Sequence, residues 1–567
     1  MPIKLDEFFL VKLFLVKKKV EMKASDLFIK CLENEEVEYI FGVPGEENED
    51  IMISLISSKI KFITTRHEQG AAFMAAIYGR LTGKAGVCLS TLGPGAMNLT
   101  TGLAEALLGN MPLVAITGQG GLHRFDKENF QFVDVFEIFK PITKWNASIS
   151  TASTIPERIR KAFKIAEIER PGPTHIELPE DVAKVEVAGK PFPRIKVRRP
   201  SADSKAVGQA IEMIKKSKNP LILAGNGCVR TRVSKQLNKF VEERGIPIVH
   251  TQMGKGAISD RSEYSLFTTG IHAKDYYVCG FDRADLIITL GYNIVEFSPI
   301  HWNKSKDKKI LHIDFLPSEV DEYYNPNLEV VGDVSNTLWI LSEKLKNEPK
   351  KNPEYFFRLR KTIVDDHREK ENDNSFPLKP QRIIADIRKS LEDSDIVISD
   401  VGMHKIWTAR MYKTYEPNTC LIDNGLCSMG ISLPGAVAAK LVHPDKNVVV
   451  VCGDGGFMMN SQELETALRI GTNFVVVIFN DSKYGMIEWK QQIHHQKTYG
   501  IEFGNPDFVK YAESFGAKGY RVEKAEDFSG ILKKALSEKK LAIIDVPVDY
   551  SENYELMKRL GQEICPV

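Results

Sequence analysis

No run of about 18 apolar residues occurs in this 567-residue chain, so nothing in it reads as a membrane span. Charge of one sign is lacking as well: 76 Lys and Arg stand against 75 Asp and Glu, for a formal net charge of +1. Without a basic excess or stripe, binding to nucleic acid or to a membrane surface is disfavoured. Paired cysteines are missing. Eight Cys are scattered without CxxC or metal-ligand spacing, and Cys88 and Cys452 lie in apolar stretches, the pattern of buried free thiols in a reducing, cytoplasmic compartment. A cleavable leader is not legible either. The apolar part of residues 1–21 is interrupted by Lys12, followed rather than preceded by Lys17–Lys19, and leads to no small-residue cleavage site. These residues read as an N-terminal extension before a domain start at Met22.

What is present is length and alternation. A chain of this size accommodates about three to four domains of ~150 residues. Helix-period stretches alternate with short β-branched runs, which predicts α/β architecture with parallel sheets covered by helices. Two polar, Pro-bounded segments, 185–204 and 346–380, read as linkers. They divide the chain into blocks at 22–187, 200–345 and 378–550, with a tail at 551–567. In each block strands run into Gly-rich turns, the places where ligands collect on parallel sheets. The middle block's Gly225-Asn226-Gly227 lacks the third glycine of a dinucleotide fingerprint and reads as a tight strand–helix turn.

The most informative stretch is VVVVCGDGGFMMNSQELETALRIGTNFVVVIFNDSKYG. An apolar strand delivers Gly453-Asp454-Gly455-Gly456, and a second strand ends in Asn480-Asp481-Ser482. Adjacent parallel strands bring Asp454 and Asn480 together at one sheet edge. A carboxylate, an amide oxygen and a backbone carbonyl in the next turn, at Ser482, make a hard-oxygen site with positions left for phosphate and water, which suits Mg²⁺. Gly455 and Gly456 permit close approach of the backbone to phosphate. Asn460 or Ser461 is the expected N-cap of the helix that follows, with Glu463 completing the cap. A stray Asp in an ordinary strand–turn–helix is the competing reading, and GxxxxGK[ST] is absent. Far upstream, RHEQGAAFMAAIYGR places Glu68 at the head of an apolar run, where a carboxylate is costly unless something there needs it.

Gly453-Asp454-Gly455 with the later Asn480 resembles the thiamine-diphosphate motif of the pyruvate-decarboxylase and acetohydroxyacid-synthase superfamily. RHEQGAAFMA, GPGAMNLTTGLAEA, PLVAITGQ and GGFMMNSQELETALR are similar to the acetolactate synthase branch, and FGNPDFVKYAESFGA resembles its catabolic members. The resemblance implies three doubly wound domains that bind the pyrimidine, form the centre and bind the diphosphate. It implies a homodimer at minimum, with a tetramer expected, and a cofactor shared between subunits. Glu68 matches the glutamate that hydrogen-bonds the pyrimidine, where a desolvated carboxylate is suited to sharing a proton. Met429 aligns with the large apolar residue that bends the cofactor, and Gly402 and His404 with diphosphate contacts; for both Met429 and His404 a purely structural role is the bland alternative.

On the substrate side the resemblance implies Gln119, Gln131, Met486 and Trp489, though an apolar pair on one helical face is often plain core. The stretch 291–303 lacks the segment that holds FAD in biosynthetic synthases, so FAD is disfavoured, whereas Trp489 resembles those same enzymes. The implied reaction decarboxylates pyruvate and joins the two-carbon unit to a second 2-oxoacid, pyruvate or 2-oxobutyrate. A decarboxylase, an aldehyde lyase or an oxidase of the same superfamily is the alternative. A scaffold that kept only the fold would have lost Glu68, Asp454 or Asn480, and all three are intact.

Overall fold

A computed structural model describes residues 21–556 apart from 126, 196, 231 and 270–274. The extension expected at 1–21 lies, except for Glu21, outside the described residues. Glu21 itself begins a short strand, Glu21–Lys23, that pairs antiparallel with Glu186–Ala188.

Three six-stranded, wholly parallel sheets follow one another along the chain. In the first the spatial order is Lys61–Thr64, Tyr39–Gly42, Gly86–Ser90, Leu113–Gln119, Pro173–Pro179 and Trp145–Ser148. In the third it is Cys420–Leu421, Ile396–Ser399, Val448–Gly453, Val475–Asn480, Ala542–Pro547 and Lys518–Arg521. Numbered along the chain, both read 2-1-3-4-6-5. The middle sheet runs Ser265–Thr268, Ile248–His250, Pro220–Ala224, Leu286–Leu290, Lys309–Asp314 and Leu328–Val331, which is the 3-2-1-4-5-6 order of nucleotide-binding folds. Central strands such as Val448–Gly453 are buried on both faces, which is why they read as unbroken apolar runs.

The first and third domains share one core. The helix Glu68–Thr82, whose small side chains from Ala71 to Ala76 are wholly buried, lies against the equally small-faced helix Ser432–Val442. Small residues let the two backbones approach closely and bury apolar area along their length. The apolar run beside Glu68 is therefore an interdomain packing surface. The middle domain is tied on by ion pairs, of which those of Arg410 are buried. Arg410 of the third domain reaches Asp275 at 2.9 Å and Asp366 at 2.7 Å, and Arg230 and Arg199 converge on Glu169 of the first.

Two expectations need correction. The 346–380 linker contains the helix Glu354–Arg368, which buries Phe356, Leu359 and Ile363 against the middle sheet. Most of its charges face outward, while Asp366 turns inward to Arg410 and Arg360 to the Asp260 and Ser265 carbonyls, so composition concealed an amphipathic helix. The helix after the Gly-Asp-Gly turn starts at Asp454 and ends at Asn460, so Asn460 and Ser461 close a first helix rather than cap a second. Six cysteines, at 31, 88, 228, 420, 427 and 452, are free as expected, whereas Cys279 is disulfide-bonded. Among the described residues no helix is long and apolar enough to cross a membrane.

Candidate functional site

In a 2-1-3-4-6-5 sheet the chain direction reverses between the first and third strands, and the crevice beyond their carboxyl ends is the natural ligand site. In the third domain those strands are Ile396–Ser399 and Val448–Gly453. The register pairs Gly453 with Phe479, which sets Asp454 and Asn480 side by side just past the sheet edge. Asp454 is buried, and its Oδ2 accepts from the Ser482 N–H and from Asn505 Nδ2, each at 2.7 Å. Its Oδ1 takes the Gly455 N–H at 2.9 Å. Asn480 spends its Nδ2 on Asp545 at 2.8 Å, which fixes its Oδ1 toward the same point, 3.1 Å from Asn505 Nδ2. Ser482 Oγ lies 3.2 Å from that nitrogen, and Ser482 holds φ at 56°, a left-handed conformation that a β-carbon disfavours and that clusters at functional turns.

Three hard oxygens thus converge on one spot, as a small divalent cation requires. Burial raises the pKa of Asp454, and burial followed by the Asp454 charge pushes Asp481 up to about 7; two carboxylates gathered in a crevice favour a cation beside them. Asn505 had no signal in the sequence, because it sits in an irregular segment distant from both strands.

The other wall of the crevice is organised by Asp400, a residue the sequence did not single out. It is wholly buried and accepts from Val401 N at 2.8 Å, Gly430 N at 2.9 Å, Ser432 N at 3.1 Å and Ser432 Oγ at 2.6 Å. Those bonds hold the turn that carries the half-buried Met429 against the end of strand Ile396–Ser399. Gly402, with φ at 154°, begins the helix Met403–Met411, and any β-carbon there would strike the His404 ring. Burial lowers His404 to about 4, and its Nε2 is buried with no hydrogen-bond partner in the protein. An orphaned buried ring nitrogen beside Gly402 and Gly453 calls for a ligand group.

Glu68 lies in the first domain, beyond the carboxyl end of strand Lys61–Thr64. It opens the helix Glu68–Thr82, is 8% exposed, and its Oε2 accepts from Asn98 Nδ2 at 2.9 Å. A buried carboxylate anchored through one oxygen keeps the other for a ligand's N–H. The substrate-side residues are less gathered. Gln119 is buried and donates to Glu177 at 2.9 Å and to the Val133 carbonyl at 3.3 Å, so its amide is spent inside its own domain. Gln131 is exposed, on a left-handed turn whose carbonyl approaches Gly93. Trp489 belongs to the core of the third domain and Met486 is packed partly against it.

The middle domain has its own switch point, between Pro220–Ala224 and Leu286–Leu290. It is filled from within. Glu296 is buried there and accepts from the Asn226 N–H at 2.8 Å, from Thr251 Oγ1 at 2.6 Å and from the Asn293 N–H at 3.3 Å. Burial pushes its carboxyl up to about 7. The N–H groups that would greet a nucleotide phosphate are taken by a side chain of the protein.

A second buried carboxyl shapes the Met429 loop. Glu105 accepts from the Ser428 N–H at 3.0 Å, and Asp423 takes those of Gly425 at 3.1 Å and Cys427 at 2.9 Å. Glu105 Oε1 and Asp423 Oδ1 find no donor elsewhere, as befits two acids sharing one proton. Burial, and then the charge of Asp423, pushes Glu105 up to about 10. A carboxyl so raised is protonated in the fold. Its contribution is full below the ordinary value of 4.5 and is lost as pH rises toward about 10. The melting temperature should therefore fall by several degrees between neutral and alkaline pH. Glu105→Gln, a permanent mimic of the protonated acid, should flatten that fall; parallel curves for the two proteins would contradict the shared proton.

The site fits a diphosphate joined to a divalent cation, and the first domain offers an anchored carboxylate to the rest of such a cofactor. Comparison with known families agrees with this division. The thiamine pyrophosphate enzyme models match in order along the chain: the N-terminal TPP-binding domain at 22–138, the central domain at 207–341 and the C-terminal TPP-binding domain at 400–546. The acetolactate synthase of Bacillus subtilis (strain 168) is 35% identical over 547 residues, which is 95% of each chain. The catabolic acetolactate synthase of Raoultella terrigena is 35% identical over 94% of this chain and 97% of its own. The chloroplastic acetolactate synthase 2 of Nicotiana tabacum is 33% identical over 94% of this chain and 83% of its own.

Proposed function

The chain belongs to the acetolactate synthases among the thiamine pyrophosphate enzymes, and from that premise we propose the following assignment of its residues. Asp454, the Asn480 amide oxygen and the Ser482 carbonyl hold Mg²⁺, and the cation with His404 and the Gly453–Gly456 turn holds the diphosphate. The observation that carries this is the convergence of Asp454 Oδ2, Asn480 Oδ1 and Ser482 Oγ within 3.2 Å of Asn505 Nδ2, beside the sheet's switch point; the Ser482 carbonyl belongs to the same turn and accepts from Phe503 N at 3.3 Å. Met429, on the turn that Asp400 braces, would prop the cofactor when it is bound. Glu68, fixed by Asn98, holds the proton shared with the pyrimidine ring.

Thiamine diphosphate supplies, when bound, the carbon nucleophile and the electron sink for decarboxylating a 2-oxoacid. The protein supplies orientation and a water-poor enclosure. We assign pyruvate as donor and a second 2-oxoacid as acceptor, with Gln131 and the Met486–Trp489 helix on the acceptor side. The pyrimidine half-site of one subunit meets the diphosphate half-site of its neighbour, in a cytoplasmic homodimer or tetramer. FAD is no part of this assignment, a reading supported by Glu296 taking the Asn226 N–H and Thr251 hydroxyl at the middle domain's switch point.

Purified protein given thiamine diphosphate, Mg²⁺ and pyruvate should form acetolactate, read as acetoin after acid decarboxylation. Acetaldehyde alone, or no product, overturns the assignment. The same preparation should show no flavin absorbance, and a flavin spectrum would refute the argument from Glu296.

A further inference from the structure

The six residues that lead into and carry Glu68 are gripped by one segment of the third domain. Glu463 Oε1 accepts from the N–H of Arg66 at 3.0 Å and of His67 at 3.1 Å, and its Oε2 lies 3.3 Å from the Arg66 nitrogen. Thr466 Oγ1 donates to the same Oε2 at 2.6 Å and fixes the carboxylate from behind. Asn460 Nδ2 donates to Gln69 Oε1 at 3.2 Å, and the Arg469 guanidinium donates to the Thr64 carbonyl. Glu463 is wholly buried, and the seat is shaped for it: a β-carbon on Gly70 would stand 2.7 Å from its Oε1.

We propose that Glu463 is a positioning residue for Glu68. The N–H groups of Arg66 and His67 precede the helix and have no intrahelical acceptor. At this partly buried turn they need an acceptor, and the wholly buried Glu463 carboxylate makes the strongest partner available. Wherever Glu463 places its oxygens, the Arg66-His67 turn follows, and Glu68 is the next residue. Asn98 fixes the tip of the Glu68 side chain, whereas Glu463 fixes the backbone from which it extends. Glu463 touches neither Asp454 nor Asn480, so its action reaches the cofactor only through Glu68. A shift of about 1 Å in a reacting group is enough to slow chemistry strongly.

The proposal rests on the reading that Glu68 serves the cofactor, and the test separates the two. Exchange of the thiazolium C2 proton of bound thiamine diphosphate for deuterium, followed by NMR after acid quench at saturating cofactor and Mg²⁺, reads the service Glu68 performs. Glu463→Gln should slow it about tenfold or more in the parent protein, but less than about twofold in a Glu68→Gln background. Amide hydrogen exchange of the protein without cofactor should accelerate in the peptide spanning 64–70 and stay unchanged in the third sheet. If Glu463→Gln fails to fold, Glu463→Asp, which keeps the charge but shortens the reach, is measured in its place with the same expectation. Equal slowing in both backgrounds, or no slowing while Glu68→Gln alone is slow, overturns the proposal. If Glu68→Gln itself exchanges as fast as the parent, it is the reading of Glu68 that falls.

Discussion

Glu68→Gln should lower acetolactate formation by about 10²–10⁴-fold, the range of a positioned acid–base group, with little change in melting temperature. The substitution keeps shape and keeps an oxygen to accept from Asn98, so the 2.9 Å bond at that position has a partner in either protein. What changes is charge. The parent carboxylate can share a proton with a ring nitrogen, whereas a carboxamide can only donate or accept a fixed hydrogen bond. Stability should hold because two small terms oppose each other. A carboxylate at a helix N-terminus contributes about 0.3–1 kcal/mol, and removing a buried charge offsets it. The check is paired: turnover at saturating thiamine diphosphate, Mg²⁺ and pyruvate, and a melting curve of the same preparation. Parent-like turnover would show that Glu68 only packs; lost turnover with a collapsed melting temperature would show a structural role.

The parts of this site that could be read from the sequence are those that local patterning marks. Strands buried on both faces appear as apolar runs such as Val448–Cys452, and their carboxyl ends are flagged by glycine turns, so the pattern alone sets Asp454 and Asn480 side by side. Glu68 stood out because a carboxylate beside Ala71–Ala76 has no local reason to be there. The residues that hold these groups were not legible in the same way. Glu463 has the spacing of a helix cap and reads as one, yet its partners are Arg66 and His67, 397 and 396 residues away. Asp400, Asn505 and Glu296 act through backbone N–H groups or single amides of remote turns, and no periodicity records such contacts. The helix Glu354–Arg368 shows the converse error, where outward charge outweighed three buried apolar positions in the reading. Trp489 is a different case: a match to a family position says which residue stands there, and its place in the third domain's core leaves the acceptor-side role to rest on that match and on the helix it shares with Met486.

Asp454→Asn should weaken Mg²⁺ binding by at least about 100-fold, since losing a charged ligand exceeds the usual 10–100-fold cost of disturbing groups around a metal. The amide leaves one oxygen at most to serve the Ser482 and Gly455 N–H groups and the cation together, and its NH₂ would confront the donors already aimed at Asp454. Titration of Mn²⁺ with thiamine diphosphate present, followed by electron paramagnetic resonance, reads the affinity directly, and excess Mg²⁺ should restore part of the turnover. Unchanged affinity would remove Asp454 from the cation site. This variant and Glu68→Gln fail at opposite ends of the cofactor, which gives their mixture a meaning neither has alone. If each site takes its pyrimidine half from one subunit and its diphosphate half from the other, a mixed dimer contains one site with both residues intact and one with neither. Random exchange between the two inactive proteins should then recover about a quarter of parental activity, half the dimers being mixed with half their sites working. If both halves of a site came from the same chain, every site in the mixture would lack one residue, and no activity would return.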